Sequence, residues 1–228
     1  YNIVDQFFIG HSVGMLGNAA TNVAFPLSTT CTAIALLFGV GGAANFNLCM
    51  GAGKKEEARQ FLGNAVSMLV LCGILLCILV CLFLTPLMRI FGATDEVLDY
   101  ALTYTSVTSL GFPFLILSTG GSHLIRADGS PRFSMVCMLT GAIINTILDP
   151  LFIFVFQWGM AGAAWATVLG QIASASMAAW YLAHYKTVSL SLSVLRPRLR
   201  SWLQILSLGM APFFNQVAMM AVQITMNN

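Results

Sequence analysis

Two aspartates that lie in apolar stretches are the residues of this 228-residue chain best suited to chemistry. Asp149 is the only charge in the segment "INTILDPLFIF", and Asp5 lies in "IVDQFFI". The other six acids belong to charged loops and helix ends, where we expect them near water. A carboxylate at the centre of a membrane span costs about 3 kcal/mol on insertion scales. Either a neighbouring group compensates each charge, or the charge is needed for function.

The residues beside these aspartates supply further oxygen ligands. Asn145 precedes Asp149 by four residues, so the two side chains share one helix face, and Pro150 frees a backbone carbonyl near a kink. An amide, a carboxylate and a carbonyl together suit a hard cation or a proton. Asn2 and Gln6 flank Asp5 and are candidates to line the same cavity. In the alternative interpretation, Asp149 only caps a helix segment and Asp5 faces the aqueous rim.

Composition places the chain in a membrane. Hydrophobic residues make up 58% and charged residues 8% of the sequence, whereas globular domains average about 25% charged residues. The basic residues are too few for a nucleic-acid surface. The run "SMLVLCGILLCILVCLFL" does not alternate between apolar and polar residues, which excludes a barrel strand and favours helices. We interpret the six cysteines as packing residues and predict no metal site beyond sodium at the carboxylates.

The uncharged stretches predict an all-α, polytopic membrane protein. The predicted helices cover residues 1–10, 18–48, 61–85, 98–123, 133–156 and 161–183, with another from about 203. Alternate loops hold nine basic residues and one, and the positive-inside rule assigns the basic loops to the cytoplasm. The predicted cytoplasmic loops are 49–60, 124–132 and 184–202.

An internal repeat relates the two aspartates. "IVDQFFI" (3–9) matches "ILDPLFI" (147–153) in residue type at six of seven positions, and "GMLGNA" (14–19) and "GMAGAA" (159–164) follow them. Both copies run outward in the predicted topology. At the helical rise, Asp5 lies about 8 Å and Asp149 about 10 Å below the outer ends of their helices. Repeated halves around a site within the membrane are common in transporters.

Several segments, in order, resemble the multidrug and toxic compound extrusion (MATE) family, most closely its MepA-like branch. They are "YNIVDQFFIG", "GNAATNVAFPL", "GAGKKEEARQ", "RADGSPRFSM" and "NTILDPLFIF…GMAGAAWATVLGQ". The resemblance implies a protein of twelve helices in two six-helix lobes. Residues 1–183 would be an N-terminal lobe with an incomplete first helix, 184–202 a cytoplasmic inter-lobe loop, and 203–228 the truncated seventh helix that begins the C-terminal lobe.

The resemblance also implies a function. Members of the family export organic, often cationic, drugs and toxic compounds across the cytoplasmic membrane in exchange for protons or sodium ions. It implies that Asp5, Asn145, Asp149 and Thr167 form the cation-coupling site. The expected partners are drug-like small molecules, the lipid bilayer and the C-terminal lobe, with no cofactor and no enzymatic activity.

Two alternatives to a drug exporter stay open. Related proteins with this architecture export or flip endogenous lipid-linked or polar solutes. An intramembrane aspartyl protease would also use two membrane aspartates, but it expects a G-x-G-D context, and the contexts here are "IVDQ" and "ILDP".

Overall fold

The computed structural model describes residues 2–188, 190 and 194–227, with side chains from Asp5 to Thr225 within these ranges. Every regular element in them is helical. The elements are α1 (Asn2–Ser12), α2 (Met15–Gly51), α3 (Lys55–Leu82), α4 (Leu84–Ile90), α5 (Asp95–Ala127), α6 (Pro131–Pro150), a π-helical turn (Leu151–Val155), α7 (Gly159–Ala183) and α8 (Leu199–Asn227).

The predicted all-α fold is confirmed, with one break that the sequence prediction missed. The helix predicted over 61–85 ends at Leu82, and the short α4 continues from Leu84. Pro86 explains the break, because its ring has no N–H and clashes with the carbonyl four residues earlier, that of Leu82. Residues before the break stay α-helical because they are mainly leucine, isoleucine, valine and cysteine in an unbroken apolar run.

Five of the described helices are long and apolar enough to cross a membrane. They cover Met15–Gly51, Lys55–Leu82, Asp95–Ala127, Pro131–Val155 and Leu199–Thr225. Large apolar side chains point outward from them, including Leu75 at 63%, Ile147 at 62% and Leu203 at 60% exposure. Outward apolar faces of this extent belong against lipid. The helix α7 is 25 residues long but rich in alanine, glycine and serine, and it packs against α5 and α6.

The helix α5 lies at the centre of the bundle and packs against α2, α3, α6 and α7. Small residues allow its closest crossing: a Cβ added at Gly39 of α2 would lie 2.7 Å from the Cα of Gly120. Ile116 and Leu124 of α5 are fully buried in the core around this crossing. Small residues at helix crossings are the usual means of close packing in lipid, where burial of apolar surface supplies no drive.

The three loops predicted to be cytoplasmic lie together at one end of the bundle. At the start of the 184–198 segment, the backbone N–H of Lys186 donates to Asp128 Oδ2 at 2.8 Å. At its end, the N–H of Arg198 donates to Asn64 Oδ1 at 2.8 Å, and Ser67 Oγ donates to the Leu195 carbonyl at 2.6 Å. The segment is thus attached to the turn after α5 and to the first half of α3 before α8 begins.

The expectation that Asp128 lies in water is wrong. Its side chain is only 6% exposed, and its two oxygens accept four hydrogen bonds. The donors are the Tyr181 hydroxyl, the N–H groups of Lys186 and Thr187, and the Thr187 hydroxyl. Within the turn "RADGSPR", Asp128 and Ser130 are buried by the segment that follows α7, which sequence reasoning treated only as a loop.

Candidate functional site

The short helix α1 carries Asp5 into the bundle. It contacts α2, α6 and α7, and Ile9, one turn after Asp5, is fully buried. The ring of Phe8 meets that of Phe154 edge to face, with centroids 6.1 Å apart. These apolar contacts hold the helix so that Asp5 is only 3% exposed.

The helix α6 carries Asn145 and Asp149 on the face that meets α7. Asp149 is fully buried and Asn145 is 1% exposed, and Asn145 Nδ2 donates to Asp149 Oδ1 over a long 3.4 Å. Gly170 of α7 makes the approach possible, because a Cβ there would lie 2.7 Å from the Gly141 carbonyl oxygen and 3.1 Å from Asn145 Cβ. A larger residue at 170 would push the two helices apart at the site.

The helical pattern changes directly after Asp149. Residues Leu151–Val155 form a π-helical turn, and the N–H of Phe156 donates to the Leu151 carbonyl at 3.0 Å. Pro150 cannot donate to the preceding turn, and π-helical turns inside α-helices frequently mark functional sites. The change of winding therefore begins at Leu151, two residues beyond the carboxylate.

Thr167 of α7 joins the two halves of the site. Its hydroxyl lies 3.5 Å from Asp5 Oδ2 and 3.0 Å from the Ala163 carbonyl oxygen. The Asp149 carboxyl lies close to the Asp5 carboxyl. Four sequence-predicted residues, Asp5, Asn145, Asp149 and Thr167, therefore meet in one place.

Three oxygens of this group have no hydrogen-bond donor among the described residues: Asp5 Oδ1, Asn145 Oδ1 and Asp149 Oδ2. All three are buried, and two carboxylates cannot donate to each other unless a proton is present. The ion pairs in the described part of the chain lie in the loops and adjoining helix ends, at Lys54–Glu57, Arg59–Glu56 and Arg89–Asp95. The site thus has an excess of negative charge and unfilled acceptors, which a proton or a sodium ion would satisfy.

A transition metal fits the site less well. The described residues contain no group of three or more His, Cys, Asp or Glu side chains able to hold a metal ion. The donors are carboxylate, amide and hydroxyl oxygens, which suit hard cations.

Two neighbouring cavities lie beside the site. The first, of about 20 Å³, is lined by Asp5, Gln6 and Tyr104, among others, and it is large enough for about one water molecule. The second, of about 230 Å³, shares Tyr104 with the first and is lined mainly by polar side chains, including Thr167 and Gln171. Each cavity thus borders a residue of the site, the first Asp5 and the second Thr167.

The two predicted cavity-lining residues have different outcomes. Gln6 does line the smaller cavity, and its amide Nε2 donates to Asn22 Oδ1 at 3.0 Å. The side chain of Asn2 lies outside the described residues.

Sequence reasoning missed Tyr104 and Gln171. Tyr104 of α5 lines both cavities, beside Asp5 in the first and Thr167 in the second. Gln171 is 6% exposed, its Oε1 has no donor among the described residues, and the missing Cβ of Gly111 leaves it room. The sequence does contain a signal for Gln171, which is an amide four residues after Thr167 in an apolar helix. Tyr104 had none, since it lies near the end of an ordinary span.

The structure supports the repeat beyond the aspartates. The equivalent residues Ile9 and Ile153 are both buried, at 0% and 3% exposure. Gly14 and Gly159, which follow the two copies, both have positive φ, at 82° and 54°. Glycine adopts such angles at the least cost, so each copy is followed by a positive-φ glycine at the start of the next helix.

Comparison with known proteins decides the family. The sequence profile described as MatE matches residues 1–151, about two thirds of the chain. The chain belongs to the MatE family. It is 25% identical over 228 residues to the multidrug export protein MepA of Staphylococcus saprophyticus, covering all of this chain and 51% of that protein. The MepA of Staphylococcus haemolyticus is 27% identical over 223 residues, covering 97% of this chain and 49% of the relative.

Solved structures of MATE transporters have the same fold. An inward-facing multidrug resistance MATE transporter of the MOP superfamily matches with a TM-score of 0.91 and 26% identity, over 98% of this chain and 51% of that one. An outward-facing structure matches with a TM-score of 0.87 and 26% identity, over 96% and 49%. The chain spans about half the length of these relatives. Its five long apolar helices and its similarity to these transporters identify it as a multi-pass protein of the cytoplasmic membrane.

Proposed function

We propose that this MatE-family chain is the N-terminal lobe of a cation-coupled antiporter that exports organic, often cationic, compounds. The observation that carries the proposal is the set of three buried acceptor oxygens, on Asp5, Asn145 and Asp149, which have no donor among the described residues. A proton or sodium ion is the missing partner. The similarity to multidrug export proteins supports the substrate class.

The site would couple cation binding to a change of conformation. A ligand shifts an equilibrium between two states only through its different affinity for them. In this structure Asp5 and Asp149 come from α1 and α6, and Thr167 from α7, so a movement at the π-helical turn after Asp149 would change their spacing. Cation binding then favours the state in which the carboxylates are closest, and cation release favours a more open, wetted one.

We further propose that the coupled transport involves a second lobe, because the matched relatives are about twice as long as this chain. The 230 Å³ cavity beside Thr167 is smaller than the 300–1,000 Å³ of typical ligand pockets. It suits water and the coupling ion, and the drug-sized space would lie between the lobes.

The test is drug efflux by the full-length protein in inverted vesicles, with a proton gradient or a sodium gradient imposed separately. Asp149→Asn and Asp5→Asn should each reduce gradient-driven ethidium transport by at least about tenfold, because an amide cannot exchange a proton. Asp99→Asn is the matched control, since Asp99 is an exposed acid at the start of α5. Normal gradient dependence in both site variants would refute the coupling role. A wild-type protein that moves no drug under either gradient would favour an endogenous lipid-linked or polar substrate instead.

A further inference from the structure

An apolar trough runs along the outer face of α6, next to the end of α5. It has a volume of about 690 Å³ and is lined by Arg126, Pro131, Met135, Met138, Leu139 and Ala142. Met135, Met138 and Leu139 are about half exposed, at 56%, 47% and 50%. The helix belongs to a span that buries little of its surface inside the protein, so the trough faces the hydrocarbon of the bilayer.

Basic side chains surround the end of the trough at which α6 begins. Arg126 lies over it: its Nε donates to Ser134 Oγ at 3.2 Å, and its guanidinium reaches Met138 Sδ at 3.8 Å. A second groove of about 590 Å³ meets the first at Pro131 and is lined by Arg132 and Lys186. All three basic residues are exposed, and none takes part in the ion pairs found in the described part of the chain.

The acid in the same turn does not neutralise this surface. Asp128 points inward, and its oxygens are filled by hydrogen bonds from Tyr181, Lys186 and Thr187. The local sum of formal charges is +2, from Arg126, Arg132 and Lys186 against Asp128. The positive amino end of α6 adds to this field.

The start of α8 does not cover the trough. The helix α8 packs against α2 and α3, whereas α6 packs against α5, α7 and α1 on another side of the bundle. The basic end of the trough lies with the loops that hold nine of the ten basic residues, which we predict to be cytoplasmic.

We infer that this surface binds one anionic phospholipid of the cytoplasmic leaflet, with its phosphate at Arg126 and the start of α6 and an acyl chain in the trough. The ligand chemistry matches part by part. The planar guanidinium of Arg126 donates two parallel hydrogen bonds to a phosphate. Arg132 and Lys186 supply long-range attraction, and basic pockets beside membrane helices on the cytoplasmic side are known to hold anionic headgroups. The methionines of the trough fit a flexible chain.

Binding of dioleoyl phosphatidylglycerol to the full-length protein in nonionic detergent tests this inference, with retained lipid counted by native mass spectrometry. Wild-type protein should retain one phosphatidylglycerol in preference to dioleoyl phosphatidylcholine. Arg126→Gln should weaken that binding about fivefold or more, a typical effect of one basic residue at an anionic membrane surface. Arg126→Lys should weaken it less, because the charge stays while the planar fork is lost. Ala142→Phe should also weaken it, by filling the trough without changing the charge.

Arg89→Gln is the matched control, because Arg89 is an exposed arginine in the loop predicted on the opposite side. An equal effect of Arg89→Gln and Arg126→Gln would overturn the inference. The inference would also be overturned if about 10 mM inorganic phosphate displaced the lipid and Ala142→Phe left lipid binding unchanged. That result describes a phosphate site without a lipid chain. Unchanged thermal melting of each variant shows that the comparison is between folded proteins.

Discussion

Replacing Asp128 and Asp149 by asparagine, one at a time, should change the stability of the protein in opposite directions. Both carboxylates are buried, at 6% and 0% exposure. The groups around Asp128 donate hydrogen bonds to it. The described neighbours of Asp149 instead include the Asp5 carboxylate and Asn145 Oδ1, an acceptor that lacks a donor. One aspartate is therefore a structural anchor, and the other is a charge that the fold leaves uncompensated.

The hydrogen bonds set the expected size of each effect. In Asp128→Asn one acceptor oxygen becomes an NH₂ donor, so the backbone N–H of either Lys186 or Thr187 loses its acceptor. A buried group left without its partner costs about 1–3 kcal/mol, and hydrogen bonds to a charged group are worth about 1.5–3 kcal/mol. We expect a loss of about 2–4 kcal/mol. In Asp149→Asn the new NH₂ can donate to Asp5 or Asn145 while a buried charge disappears, and we expect a gain of about 0–2 kcal/mol.

Reversible unfolding of the full-length protein in mixed detergent and SDS micelles measures both changes. Asp99→Asn serves as the control for the loss of one charge at an exposed position, and we expect it within about 0.5 kcal/mol of wild type. If Asp149→Asn destabilises the protein as much as Asp128→Asn does, Asp149 is a structural residue and the reasoning from unfilled acceptors is wrong.

Three further predictions concern topology, packing and pH. In a background without the six native cysteines, an impermeant thiol reagent should label Gln157→Cys in intact cells and spare Lys55→Cys. Gly170→Val should lower the melting temperature and abolish efflux, because its side chain would enter the space 2.7 Å from the Gly141 carbonyl, whereas Gly51→Val, which has open space around it, should keep activity. Burial and the charge of Asp128 raise the pKa of Tyr185 above its ordinary value of 10.0, so stability should fall as the pH rises above about 10 and fall less in Tyr185→Phe.

Each of these predictions has a result that contradicts it. Labelling at 55 but not at 157 would reverse the orientation. Equal melting temperatures for the two glycine variants would show that α6 and α7 are not tightly packed at the site. Because the pKa of Tyr185 is raised in the folded protein, the unfolded chain loses the phenol proton at a lower pH than the folded protein does. Identical alkaline unfolding curves for wild type and Tyr185→Phe would show that this proton does not contribute.

The carboxylate site could be predicted because its residues break a strong pattern. A charge in an apolar span is conspicuous, and the repeat that relates Asp5 to Asp149 places both at a similar depth in the predicted topology. Asn145 followed from its spacing on the helix. Thr167 came from the resemblance alone, since a threonine in an apolar helix is ordinary.

The remaining features depend on contacts between distant segments. Tyr104 and Gln171 meet the site because α5 and α7 cross beside it, and the sequence of neither helix specifies that crossing. Asp128 looked like a solvated turn residue, and its burial is caused by residues 186 and 187, more than fifty positions later. Pro86 indicates a break near Phe83, but the long apolar run on both sides favours one continuous helix.

Cation release on substrate binding tests the central claim most directly. Purified full-length protein in a weakly buffered solution is mixed with saturating ethidium, while a pH indicator and a sodium electrode record protons and sodium ions released. The account predicts release of about one cation per protein from wild type and Asp99→Asn, and none from Asp5→Asn or Asp149→Asn. Release of the same amount from Asp149→Asn as from wild type, with ethidium still bound, would contradict a coupling site at these carboxylates.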